Sequence, residues 1–125
     1  MWVAEGVGLH GVLTDFKERF NNNPRAKKIA TGWDRLVLLD STNTGQKYGL
    51  VVRNAEVTEV RAIEDFDEDA DDLVRLQGEE NILVNVFSGT YNPATALTDG
   101  NLAVFSSDRD KVKLEALAMV IWRLG

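Results

Sequence analysis

The chain has 125 residues, 44% of them hydrophobic, enough for one core that removes about two-thirds of the unfolded surface from water. Its formal charge of −6 repels phosphate backbones, and beyond Arg25, Lys27 and Lys28 the basic residues form no stripe, so no nucleic-acid partner is expected. Cysteine is absent, which removes disulfide frameworks, thiolate zinc sites and cysteine nucleophiles together.

The opening residues MWVAEGVGLHGVLTDF carry Glu5 and lack the basic region of a signal peptide. No apolar run approaches the roughly 18 residues of a membrane span, so a cytoplasmic protein without a transmembrane segment is expected. Leu9, Val12, Leu13, Phe16 and Phe20 fall at steps of three and four, the spacing of one helical stripe over residues 7–20. Asn21-Asn22-Asn23-Pro24 reads as its end, followed by a basic linker to Gly32-Trp33. The runs DRLVLLD and KYGLVVR then read as strands around a turn at 41–45, and EVTEVRAI follows Asn54-Ala55 closely enough for an antiparallel meander.

Next comes EDFDEDADD, seven acids in nine residues. Its Asp spacing invites a calcium loop, but a loop begun at Asp65 has Ala70 where glycine is required and Leu76 where glutamate is required, and one begun at Asp67 has Asp72 and Gly78. A solvated acidic turn is the expectation. LVRLQG alternates as a half-buried strand and stops at Gly78. Glu79 and Glu80 suit a helix start, with Ile82, Leu83, Val86 and Phe87 on its buried side and an end at Ser88-Gly89. Asn92 caps a short helix begun by Pro93 and closed by Asp99-Gly100, and NLAVF follows as a strand. Ser107 or Asp108 then caps a last helix, KVKLEALAMVIWRL, with Leu114, Leu117, Ala118, Ile121 and Leu124 on one face.

These elements make an α+β fold over residues 1–125 as a single domain: a mostly antiparallel, twisted, five-stranded sheet covered on one face by helices. Alternation turns Leu36, Leu38, Leu50, Val52, Val74, Leu76, Leu102 and Val104 toward the helices. LVLL and LVV are apolar on both sides, which implies a second buried face such as an oligomer contact.

Catalytic signals are missing. His10 is the only histidine and has no supporting triad pattern, no serine sits in a Gly-x-Ser-x-Gly elbow, and the acids cluster where nothing desolvates them. No catalytic residue, metal ligand set or cofactor is expected. Tyr48, Arg53, Arg75 and Tyr91 are candidates for orienting a polar head group, each with an ordinary surface reading beside it.

The phrases ADDLVRLQGEENILVNVFSG and TYNPATALTDGNLAVFSSDRDKVKLEAL, with Gly78, Gly89, Asn92, Pro93, Ala96, Gly100, Leu102 and Leu117 in succession, resemble the sterol carrier protein type 2 family from about Val12 to Ile121. The chain departs from that pattern at Asn54-Ala55 and Ser106-Ser107, where members often carry glycine. The resemblance implies a non-enzymatic lipid-binding or lipid-transfer module with a hydrophobic cavity between sheet and helices. It implies ligand contacts from Phe16, Phe20, Phe87, Leu97, Leu102, Val104, Leu117, Ile121 and Trp122, with the last helix as lid. The expected partner is an apolar small molecule, a fatty acyl or sterol-like lipid, and a homodimer or partner protein stays open. The competing readings are an accessory or dimerisation module with a filled core and, further off, a small hydrolase or isomerase.

Overall fold

The computed structural model describes the backbone of residues 3–124 and the side chains of residues 8–120. Helix α1 (Val3–Asn21) buries Leu9, Leu13, Phe16 and Phe20 along the stripe that their spacing predicts, and it kinks at Gly8, whose φ of 56° few other residues adopt. The basic linker is a correction. Asn23 ends α1 and also caps a new helix, α2 (Pro24–Ile29), its Oδ1 accepting from the amides of Arg25 at 3.0 Å and Ala26 at 3.2 Å. Pro24 at the first helical position has the right φ and needs no partner for an N–H, and Ala26 supplies the buried contact.

Strands β1 (Arg35–Ser41), β2 (Lys47–Arg53) and β3 (Glu56–Ala62) form the expected antiparallel meander. Asn54 and Ala55 both take positive φ in the β2–β3 turn, at 53° and 64°, the twist that a two-residue hairpin requires. Strand β4 (Leu73–Gly78) lies beside β1 in parallel, and β5 (Ala103–Phe105) closes the order β3-β2-β1-β4-β5. The sheet is therefore mixed, because the chain leaves β3 at one edge and crosses back past β1 before it can pair again.

Helix α3 (Glu80–Ser88) ends on Gly89 in the left-handed conformation, and α4 (Pro93–Thr98) starts from Asn92, whose side chain accepts from the Ala94 amide. Helix α5 (Asp108–Leu124) is capped by Ser107, the Oγ of which accepts from the Asp110 amide at 3.2 Å.

The direction of β1 is the second correction. Register places Val37 beside Leu50 and Val74, and Leu39 beside Leu76, so Val37 and Leu39 meet the helices while Leu36 and Leu38 face the other way. Leu38 is nonetheless fully buried. Cover comes from within the chain, in the acidic segment 63–72: a Cβ at Gly49 would come within 2.9 Å of Leu36 Cδ1 and 3.0 Å of Ile63 Cγ1, so Ile63 lies directly on this outer face. The chain's own strap thus covers part of this second apolar face. Leu102 is buried as expected but precedes β5, and Val104 is half-buried with its side chain inward.

Candidate functional site

Between the sheet and the helices lies one apolar layer. Alternation along β1, β2 and β4 contributes Val37, Leu39, Leu50, Val52, Val74 and Leu76, and the helical stripes contribute Leu13 and Phe16 from α1 and Leu83 and Phe87 from α3. Phe16 and Phe87 meet edge to face at 5.0 Å and 80°, with Phe20 6.2 Å from Phe16. Arg19 covers this cluster: its guanidinium lies 5.7 Å from the Phe16 ring, Nη2 donates to the Phe87 carbonyl and Nε donates to Asp15 at 3.1 Å. Helix α5 reaches the layer through Leu117 and packs against α2 and α4.

Among the described residues, each buried polar side chain has its own partners. Asn23 caps α2, Ser41 bonds Asn43 and Thr44 in the β1–β2 turn, Asp40 is held by Arg75 and Gln77, and Asp110 by Trp33 and Arg35. Tyr48 and Tyr91 pack against the apolar cluster from its rim, half-buried.

Of the nine residues expected to contact ligand, Phe16, Phe20, Phe87, Leu102 and Leu117 are brought together in this layer, and Val104 packs against it. Leu97 stays 40% exposed, because α4 turns Ala96 inward instead. The Ala96 carbonyl receives the amides of Asn101 and Leu102, which fixes that side of the helix against the chain entering β5. The side chains of Ile121 and Trp122 lie outside the described residues.

A second feature sits on the outer face of the sheet, where sequence reasoning expected none. A groove of about 400 Å³ runs between the strap, β4, β5 and the start of α5, lined by Phe66, Leu73, Arg75 and Phe105 with Glu68, Asp71 and Asp110. Arg75 points here because Val74 and Leu76 point inward. Its guanidinium lies between the Phe66 and Phe105 rings, at 5.4 and 5.8 Å, and Nη2 donates to Asp40 at 2.7 Å. Burial raises the Asp40 pKa, but hydrogen bonds from Arg75 and Gln77 and the charges of Lys47 and Arg75 outweigh it, so the carboxyl titrates below its ordinary value. The legible signal for this groove was Phe66, an aromatic placed amid seven acids.

The other head-group candidates are engaged with neighbours: Arg53 is exposed, and Tyr48 and Tyr91 are half-buried against the edge of the apolar layer. The Tyr48 hydroxyl donates to Gln46 at 3.3 Å, Arg53 lies 3.9 Å from Asp72, and the Tyr91 hydroxyl donates to Asp99 at 2.8 Å. His10 is exposed, with its ring 5.7 Å from that of Tyr48.

No protein-family model matches the chain, and no curated protein matches it. Solved structures do. A crystal structure of sterol carrier protein 2 superposes with a TM-score of 0.63 at 17% identity, covering 89% of this chain and 93% of that one. Palmitated SCP2L2 from Aedes aegypti superposes at 0.60 and 17% identity, covering 91% of this chain and 94% of that one. The inverting sec-alkylsulfatase Pisa1 from Pseudomonas sp. superposes at 0.56 and 19% identity, and there this chain spans 14% of the sulfatase's length. The chain has the sterol carrier protein 2 fold.

Proposed function

We propose that this protein binds an apolar lipid, a fatty acyl chain or a sterol-like molecule, in the layer between sheet and helices, and that it does so without catalysis, as one domain over residues 1–125. The observation that carries the reading is the composition of that layer: apolar side chains from all five helices and from β1 to β4 converge there, and the buried carboxylates among the described residues, Asp40 and Asp110, are held by their own partners. An apolar ligand needs such walls and few polar contacts. The fold supports the reading further, since a structural neighbour of this chain is a palmitated protein. Helix α5 is the lid in this proposal, with Leu117 as its buried contact and Ile121 and Trp122 continuing the same helix.

The test begins with native mass spectrometry of the purified protein, which should show co-purified lipid, followed by displacement of a fluorescent fatty-acid probe. Leu117→Ala should weaken probe binding while the protein stays folded. A core that is simply filled gives the other pattern: bare protein, no probe binding, and a loss of about 2–5 kcal/mol of stability for the same substitution. That pattern fits the second reading, an accessory module, which is favoured by one finding: in Pisa1 the same fold forms a small part of a much longer chain.

A further inference from the structure

The acidic strap and the groove beneath it lie on the face of the sheet opposite the apolar layer. Two of the groove's charges are matched internally: Arg75 by Asp40 at 2.7 Å and Asp110 by Arg35 at 3.1 Å. Glu68 lies 3.6 Å from Arg75 Nη1 with 72% of its side chain exposed, and Asp71 forms no ion pair among the described residues. The groove's surplus is negative, and the strap carries Glu64, Asp65, Asp67 and Asp69 besides the residues that line it.

Charge alone does not describe this surface. Phe105 is 53% exposed on the edge strand β5, and it lines the groove together with Phe66 and Leu73. A small inorganic cation would leave those apolar walls in water. An alkyl stem ending in an ammonium or guanidinium group would cover them while its head meets Glu68 and Asp71, and a neighbouring apolar residue would cover Phe105.

We propose that this groove docks a basic segment of a partner protein, one that presents lysine or arginine side chains interleaved with apolar residues. Recognition combines complementary charge with burial of Phe105, so both components are required. The apolar layer on the other face stays free, and the two faces can be occupied together.

The experiment titrates the whole protein with three probes: a capped heptapeptide alternating Lys and Leu, the same peptide with Glu in place of Lys, and spermine. Amide resonances of residues 66–75 and 105–110 should move with the Lys/Leu peptide alone. Affinity should fall about five- to tenfold in Glu68→Gln/Asp71→Asn, as expected for two exposed ion pairs, and by a similar factor in Phe105→Ala. Glu56→Gln/Glu59→Gln, which removes the same charge from the exposed side of β3, should leave binding unchanged. Equal binding of spermine, equal loss in the β3 control, or resonance changes confined to other parts of the surface would each overturn the proposal.

Discussion

Trp33 and Asp110 are 77 positions apart and meet at 2.7 Å, the indole Nε1 donating to Asp110 Oδ1. Arg35 Nε donates to both oxygens of the same carboxylate, at 3.2 and 3.1 Å. Asp110 thereby fastens the first turn of α5 to the chain entering β1, and it is almost fully buried while doing so. Asp110→Ala leaves an indole donor without an acceptor and a guanidinium without its partner. Because Arg35 retains contact with water, the expected loss is about 2–3 kcal/mol rather than the full penalty of a buried broken pair. Asp110→Asn should lose less, since one acceptor oxygen remains. Urea denaturation checks both, and an Ala variant as stable as the parent would show that the contact is not formed in solution.

Asp40 makes stability depend on pH in one direction. Its folded pKa is depressed below the unfolded value of about 3.9, so its contribution is fully present above that value and is lost as pH falls through the folded pKa. The stability gap between the parent and Asp40→Asn should therefore be widest near neutrality and narrow below about pH 4. Chemical denaturation at pH 7, 5, 4 and 3 reads this directly. A gap that is constant with pH would place the effect of the substitution in packing rather than charge.

Two glycines should respond differently to one added methyl group. At Gly49 the new carbon would press on Leu36 Cδ1 and on Cγ1 and Cδ1 of Ile63, side-chain atoms that can shift, at a cost of about 1 kcal/mol. At Gly78 it would come within 2.9 Å of the Asn101 carbonyl oxygen, which is backbone and cannot rotate away. Gly78→Ala should cost about 2–3 kcal/mol and loosen the chain between α4 and β5. Comparison of thermal midpoints decides the ranking, and the reverse order would contradict this account of which neighbour yields.

Ala55 holds a φ of 64° in the β2–β3 turn, where a Cβ meets the following carbonyl. Ala55→Gly removes that strain at the expense of some added freedom in the unfolded chain, for a net gain of about 0.5–1 kcal/mol. A higher midpoint in thermal unfolding is the expected result.

Helix stripes, caps and the meander were legible because each has a short-range cause: Leu9 to Phe20 repeat at helical spacing, Asn92 and Ser107 offer cap oxygens, and Asn54-Ala55 leaves room only for a tight turn. The orientation of β1 was not legible. Alternation identifies a buried face only when the other face is polar, and LVLL is apolar on both, so Leu38 and Leu39 carried equal signal for opposite directions. Helix α2 was hidden by its charge and brevity, since Ala26 and the half-buried Ile29 are the only core contacts in its six residues. The groove escaped because its walls come from the strap, β4, β5 and α5, and nothing in the spacing of Phe66, Arg75 and Phe105 announces that they meet.

The parallel pairing of β1 with β4 also imposes an order of events on the chain. The β1–β2 and β2–β3 hairpins close through short turns, whereas joining Leu36 to Leu73 encloses the whole meander and the strap in one loop. Closing that loop costs entropy before any contact compensates for it, so the hairpins form early and the seam at β4 forms late. Pulse-labelled hydrogen exchange during refolding should protect the amides of Leu50 and Val60 before those of Val74 and Leu76. Simultaneous protection would mean that the strap is already folded back when the sheet nucleates. In the expected order, the acids of the strap repel one another in a chain still open on one side, and raising the ionic strength should speed the late step while leaving the hairpins' own rate unchanged.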